Sequence, residues 1–370
     1  MNEASPTRRC WADIDLTALR HNAATLRAQA GPAARIMAIV KANAYGHGMV
    51  PVAQALHGRV DMFGVANVTE ARELRSHVPD VDIFILGPAL PGERQEIVAN
   101  DFIPAISDLQ EAAAYSAFGR NKRLRVHLAV DTGMGRMGVW HEDAVAVAAA
   151  IRELPGVEIA GVATHLPVAD DDDTFTAGQL ARFAELMAQL RALGLSNVVD
   201  HAENSAGVIA FPAQAGDLVR VGLALYGSAP RKEFQTRLRP VMTWKTSITL
   251  VRDVGAGRSV SYGRTFITPA PMRIATLGVG YADGYQRHLS NRGAHALIRG
   301  RRCAVLGRVT MDQIMVDVTE LPRLGAGEEV VLIGQQGEEE ISAAELAEKA
   351  GTIPWEIFTG IGTRVERVYS

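Results

Sequence analysis

The chain has 370 residues, 48% of them hydrophobic and 21% charged, with a formal net charge of −3. That length exceeds what one hydrophobic core normally serves, so two domains are expected. The near-neutral balance excludes the basic footprint of a nucleic-acid binder, and no basic or long apolar run marks a membrane surface or span.

Two cysteines, Cys10 and Cys303, are too few for a disulfide framework and suit a reducing compartment. The polar start from Met1 to Arg9 lacks the apolar core of a signal peptide, which makes a cytoplasmic location the expectation. Trp11–Leu16 alternates like a strand, and Asp15 or Thr17 can cap a helix running through Leu26. From Arg35 onward, short apolar runs alternate with amphipathic stretches. Strands are expected at Ile36–Val40, Met62–Ala66, Ile83–Leu86, Ile103–Ile106, Leu124–Val130, Glu158–Thr164, Val198–His201 and Leu218–Val221. Helices are expected between them, among others at Thr69–Ser76, Leu109–Ala117, Asp143–Glu153 and Thr176–Leu193. Eight strand-then-helix units imply a closed (β/α)8 TIM-type barrel over residues 1–240.

Beyond Arg239-Pro240 the texture changes to strand-like runs separated by Gly-rich turns: Met242–Val251, Arg273–Val279, Ala294–Ile298, Cys303–Val309, Ile314–Val318 and Glu329–Ile333. One helix, Ser342–Ala350, and a last strand, Thr363–Tyr369, follow. Residues 241–370 therefore read as a smaller, mostly β C-terminal domain. Asp170–Asp173 offers four consecutive carboxylates, which cannot converge on one ion from a strand or a helix. No His or Cys spacing accompanies them, so no metal is expected. A solvated loop before a helix opening at Thr176-x-x-Gln179, a capping-box spacing, is the better reading.

Several segments carry groups suited to chemistry. Lys41 closes an apolar run, at the rim of a parallel barrel where active sites are built. An ammonium partly stripped of water there loses basicity and suits imine chemistry with an aldehyde cofactor. Arg220 and His165 also end strands, Asn204-Ser205 forms a short polar turn, and Arg136 lies in the Gly-rich segment Asp131-Thr132-Gly133-Met134-Gly135-Arg136. Taken singly, each has an ordinary reading: a snorkelling lysine, a rim ion pair, a satisfied histidine, a turn, a solvated arginine.

Taken together and in order, they do not. Val40-Lys41-Ala42-Asn43-Ala44-Tyr45-Gly46-His47-Gly48 resembles the pyridoxal 5'-phosphate (PLP) lysine motif of the alanine racemases. Further segments match that family from Trp11 to about Arg367, including Val260-Ser261-Tyr262-Gly263-Arg264-Thr265, Asp217-Leu218-Val219-Arg220-Val221-Gly222 and Val309-Thr310-Met311-Asp312. The family's fold places the N-terminal strand, residues 11–16, in the second domain. The resemblance implies a PLP-dependent racemase interconverting L- and D-alanine for cell-wall precursors. It also implies a homodimer whose site is shared between subunits.

By the same resemblance Lys41 forms the imine and serves as one base, and Tyr262 of the partner subunit is the other. That phenol needs a basic or hydrogen-bonded setting to accept a proton near neutrality. Arg220 addresses the pyridine nitrogen and His165 packs against the ring, bonded to Tyr262 or Arg220. Tyr45, Asn204, Ser205, the amides of Gly222 and Leu223, and the position of Trp355 cradle the phosphate. Arg136 and the Met311 amide clamp the substrate carboxylate, and Asp170, Tyr281, Arg287 and Arg308 line an access channel. Three positions depart from the family. Ala129 stands where many members carry a carbamylated lysine supporting the clamp arginine, Trp355 replaces a tyrosine, and Leu166 stands where an aromatic is common. The altered pocket leaves a serine or broad small-amino-acid racemase as an alternative. A non-catalytic PLP-binding or homeostasis protein would resemble the barrel half alone. A fold-related decarboxylase would need a trans-acting cysteine and a late Gly-rich phosphate segment, and neither is evident.

Overall fold

The computed structural model describes residues 8–119, 122–214 and 216–370. Most of the polar start from Met1 to Arg9, residues 1–7, thus lies outside the described residues. Two compact units divide the chain. One comprises Ala18–Ala44 and Met49–Arg239; the other gathers the segment through Thr17, Tyr45–Gly48 and Pro240–Ser370.

In the first unit all eight expected strands form, with ends within one residue of those read from the sequence. They pair in parallel in the order Leu218–Val221, Arg35–Ile39, Met62–Val65, Asp82–Ile85, Ile103–Ile106, Leu124–Asp131, Val157–Ala163, Val199–His201. The last and first are tied by the Arg220 N–H on the Glu203 carbonyl at 2.9 Å, which closes the barrel. These strands are apolar on both faces because helices cover the outside while side chains fill the inside, so Ile36, Met37 and Ala38 are wholly buried. Each buried isoleucine or leucine contributes about 1.5–3 kcal/mol. The covering helices show the i, i+4, i+7 stripe that this demands: Ala144, Ala148 and Ile151 are buried on the Ala144–Arg152 helix.

Asp15, not Thr17, caps the first helix, its Oδ1 accepting the Thr17 N–H at 2.7 Å. That helix runs over Leu16–Ala30, past the expected end at Leu26. The Thr176-x-x-Gln179 start is corrected: the helix opens three residues earlier, at Asp173, with Asp172 accepting the Phe175 N–H at 2.9 Å. An ionised carboxylate against the helix dipole outcompetes a hydroxyl cap one turn on, and Thr176 and Gln179 are buried instead. Asp170 and Asp171 are exposed in the preceding turn, and Asp173 pairs with Arg231.

In the second unit the expected strands form a nine-stranded sheet in the order Glu339–Ile341, Glu329–Gln336, His295–Ile298, Arg301–Leu306, Ile314–Asp317, Met272–Leu277, Met242–Val254, Cys10–Ile14, Glu366–Tyr369. The long Met242–Val254 strand also pairs with Glu329–Gln336, so six of the strands close into a ring. The N-terminal strand does lie here, antiparallel to Met242–Val254 with Ala12 opposite Trp244, and parallel to Glu366–Tyr369. The single helix expected here is a correction: Pro354–Gly360 is a second one, beside Ala343–Ala350. Pro354 occupies its first turn, where a missing N–H costs nothing and the fixed φ favours helix. The final strand accordingly starts at Glu366 rather than Thr363. A small hairpin, Ser259–Val260 with Phe266–Ile267, was not anticipated and frames the turn holding Tyr262. Among the described residues no helix is long and apolar enough to cross a membrane.

Candidate functional site

Lys41 leaves the barrel two residues beyond Arg35–Ile39 and is half-buried. Its ammonium has no hydrogen bond or ion pair among the described residues. Burial, and next the nearby Arg136 charge, lower its pKa from the usual lysine range, while Glu70 acts in the opposite sense. The next four residues, Ala42, Asn43, Ala44 and Tyr45, hold φ of 51, 54, 53 and 51°, a left-handed turn. Such a turn costs about 1–2 kcal/mol per residue. Three bonds offset it: Ala44 N–H to the Val40 carbonyl, Ala42 N–H to Glu70 Oε1, and Met49 N–H to Asn43 Oδ1, each 2.8 Å. In the second unit the turn's far end is anchored by Arg367, which donates to the carbonyls of Gly46, Ile361, Gly362 and Val365. Gly46 has φ of 78°, and any Cβ there would collide with the Phe358 carbonyl. Tyr45 is buried, which pushes its phenol up to about 12.

Arg220 is the penultimate residue of the closing strand, Leu218–Val221, and is buried. Its Nη1 donates to the His201 carbonyl and to His201 Nδ1, both at 2.8 Å. Its Nη2 donates to the Thr164 and Ala202 carbonyls at 2.6 and 2.9 Å, and meets His165 Nδ1 at 3.2 Å. Nε–H alone lacks an acceptor among the described residues. Burial lowers the Arg220 pKa to about 10, so the guanidinium stays charged at neutral pH. An arginine can only donate, so Nδ1 of His165 accepts and the proton of that imidazole sits on Nε2. Burial first, then the Arg220 charge, drop His165 to about 3, keeping it neutral.

Ser205 Oγ accepts the Gly222 N–H at 2.9 Å and approaches the Ala224 N–H at 3.4 Å, so the loops after the last two barrel strands meet around it. Leu223 is buried in the same turn. Asn204 caps the helix that starts at Ser205, accepting the Ala206 and Gly207 N–H groups at 3.1 and 3.0 Å, and donates to the Leu166 carbonyl at 2.9 Å. Arg136 is exposed and unpaired among the described residues, yet it lies close enough to act electrostatically on Lys41, His165 and Arg220. Ala129 gives it no polar support. The loop is organised instead by Asp131, whose carboxylate accepts the N–H groups of Gly133, Met134 and Gly135 at 2.8, 2.8 and 2.7 Å. The barrel mouth therefore collects Lys41, Arg136 and Arg220 as cations around a neutral histidine. Such a cluster of positive charge attracts an anionic, hydrogen-bond-accepting ligand. Asp170 stays in its exposed turn, beside the Ala169 carbonyl that Arg231 holds.

The second unit gathers the remaining candidates. Tyr262 is 69% exposed on a turn where Ser261, Gly263 and Arg264 have φ of 64, 70 and 51°. Arg308 packs on Gly263, leaving no room for a Cβ, and its carbonyl accepts from Ser261 Oγ at 2.5 Å. Tyr281 and Met311 sit side by side: Tyr281 N–H reaches the Thr310 carbonyl and Ala282 N–H the Met311 carbonyl, each at 3.0 Å. Both are exposed, at 42% and 53%. Arg287 is exposed on a short helical turn. Trp355 is half-buried, its carbonyl accepting from Thr359 Oγ1 at 2.8 Å, and its indole N–H has no acceptor among the described residues.

Sequence reasoning missed three supporting groups: Glu70, Asp131 as a loop organiser, and His201. The sequence holds an Asn67-x-x-Glu70 spacing, which marks a helix cap and gives Glu70 no further role. Asn67 does accept the Glu70 N–H at 3.0 Å, but the Glu70 carboxylate serves other amides. His201 sits on a strand without any spacing that links it to Arg220.

Comparison with known proteins gives the chain a family. The family model for the alanine racemase N-terminal domain matches residues 14–230, and that for the alanine racemase C-terminal domain matches 241–369. An alanine racemase of Symbiobacterium thermophilum is 45% identical over 368 residues, covering 98% of this chain and 97% of that protein. The structure of alanine racemase from Clostridium difficile 630 superposes with a TM-score of 0.91 at 32% identity, covering 98% of this chain and 96% of that one. That of Bartonella henselae alanine racemase with covalently bound pyridoxal phosphate gives 0.89 at 30%, covering 98% and 99%.

Proposed function

This chain belongs to the alanine racemase family, and from that premise we propose that it interconverts L- and D-alanine on PLP attached to Lys41. The observation that carries the placement is a pair of unmet needs at one mouth: the unpaired Lys41 ammonium and the free Nε–H of Arg220. A ring whose nitrogen accepts and whose substituents are anionic meets both, so the residues present fit the cofactor. When bound, PLP supplies an aldehyde for covalent attachment and a ring that spreads the electron pair left by the departing α-proton.

The chain's own residues do the rest. Lys41, with lowered basicity, holds a larger neutral fraction at neutral pH than a free lysine and so serves as base on one face. Tyr262 of the partner subunit serves the other. Its exposure, with that of Met311 and Tyr281, suits a surface that a second copy covers. Arg220 keeps its proton, so toward a bound ring nitrogen it would donate a hydrogen bond and not a proton. Such a donor would restrain the ring's hold on the electron pair and so favour racemisation over transamination. Tyr45, Asn204, Ser205 and the Gly222 and Leu223 amides hold the phosphate, with Trp355 beside it. Arg136 and the Met311 amide orient the carboxylate, and Asp170, Tyr281, Arg287 and Arg308 line the approach. A carrier protein would match the barrel alone, whereas both family models match here.

Mixing two inactive variants tests the shared site. Lys41→Ala and Tyr262→Phe, unfolded and refolded together, should regain activity, because one site of the mixed dimer takes Lys41 from one chain and Tyr262 from the other. Random pairing gives about a quarter of wild-type activity for an isologous dimer. No recovery, with mixed dimers formed, refutes the shared site.

A further inference from the structure

Beneath Arg220 the barrel interior holds two more histidines that the proposed reaction does not use. His201 and His127 are buried, and their rings meet through His127 Nδ1 and His201 Nε2 at 2.8 Å. Three features place His127 there. The pairing of Leu124–Asp131 with Val157–Ala163 shifts register after Val126, where Ala160 is the extra residue of a bulge on the facing strand that brings Gly161 opposite His127. Opposite it stands Gly161, where a Cβ would lie 2.8 Å from three ring atoms of His127, so this strand has given up a side chain to admit an imidazole. Phe84 closes the pocket, its ring 4.9 Å from His127 and edge-on to His201 at 5.5 Å.

The proton positions follow from the chain of contacts. Arg220 Nη1 can only donate, so His201 Nδ1 is bare and its proton is on Nε2. That Nε2–H points at His127 Nδ1, which must accept, leaving the His127 proton on its own Nε2. We infer that His127 and His201 form a tautomer-locked relay whose task is to position the Arg220 guanidinium, with Nε–H as its free donor. His127 is thus a positioning residue acting through two others. With both terminal nitrogens engaged by His201, His165 and three carbonyls, only Nε–H is left to aim at a ligand. Burial keeps both imidazoles neutral, with His127 pushed down to about 3, so neither ring reverses the direction of donation. The inference rests on the reading that Arg220 addresses the cofactor ring.

The experiment separates the two. In cofactor-free protein labelled with 15N-histidine, His201 should show a bare Nδ1 and a protonated Nε2. A proton on His201 Nδ1 overturns the relay without involving the cofactor. In the holoenzyme, His127→Phe fills the space but removes the acceptor. It should shift the absorbance maximum of bound cofactor and lower kcat at least tenfold with KM within about twofold. His127→Asn, whose Oδ1 can accept in place of Nδ1, should restore the absorbance. Arg220→Lys is the reference. If it leaves the absorbance unchanged, the assignment of Arg220 to the ring fails. If it shifts the absorbance and folded His127→Phe does not, or if Asn fares as badly as Phe, the relay fails. Should His127→Phe not fold, the wild-type tautomer and the Asn variant decide.

Discussion

Glu70 Oε1 accepts the backbone N–H of Ala42 at 2.8 Å, the residue directly after Lys41. Its other oxygen takes the Ala66 N–H at 2.7 Å. One carboxylate thus stitches the left-handed turn to the next barrel loop, and its charge also opposes the drop in Lys41 basicity. Glu70→Ala leaves both amides without that acceptor and should cost about 1–3 kcal/mol, read from urea unfolding. Glu70→Gln keeps one accepting oxygen and should fall between. Because it removes the acid that raises the basicity of Lys41, its lysine should react with an amine-selective reagent at lower pH than in the wild type. An unchanged reactivity profile would argue against that coupling.

Acid should destabilise the cofactor-free protein in a defined window. His127 and His165 are lowered to about 3 when folded, whereas an unfolded histidine protonates near 6.5. Between those values the unfolded chain binds more protons, so unfolding free energy falls as pH falls from about 6.5 toward 3, and levels off above 6.5. Each histidine adds a slope of about 1.4 kcal/mol per pH unit. Denaturant midpoints measured from pH 8 to 4 should reveal this. His127→Asn should flatten the slope by one such increment, and an unaltered slope would contradict the buried, neutral state.

Gly161→Ala should be disproportionately harmful for a single methyl group. The added Cβ meets three His127 ring atoms at 2.8 Å, with Phe84 behind them. Overpacking of this kind costs about 1–3 kcal/mol. A thermal midpoint within 1 °C or so of wild type, for a barrel this size, would mean the imidazole has room to move.

Tyr262→Phe keeps the ring and removes the hydroxyl. If the phenol is one of two bases, solvent-deuterium exchange at Cα should drop by about 10²–10⁴ for one enantiomer and far less for the other. Equal loss for both would count against two opposed bases.

Much of the barrel was legible because strands buried on both faces leave continuous apolar runs such as Ile103–Ile106, where reading and structure coincide. Helix starts were less so: Asp172 and Thr176 are both plausible caps one turn apart, and only burial of Thr176 decides between them. Pro354 looks like a breaker until its place in a first turn is seen. At the site, Lys41, Arg220 and His165 stood out because they end strands. His127 and Glu70 did not, since the bulge that sets Gly161 against His127 lies on the neighbouring strand and the partners of Glu70 lie in different loops. Contacts of that kind depend on register and loop path, which no local pattern encodes.

The bond from Arg367 to the Gly46 carbonyl joins positions 321 residues apart. A ribosome that has long since delivered Lys41 must go on to synthesise Glu366–Tyr369 before the adjoining turn can be fastened. The turn should therefore stay open to proteolysis in any nascent chain from which Arg367 has not yet emerged.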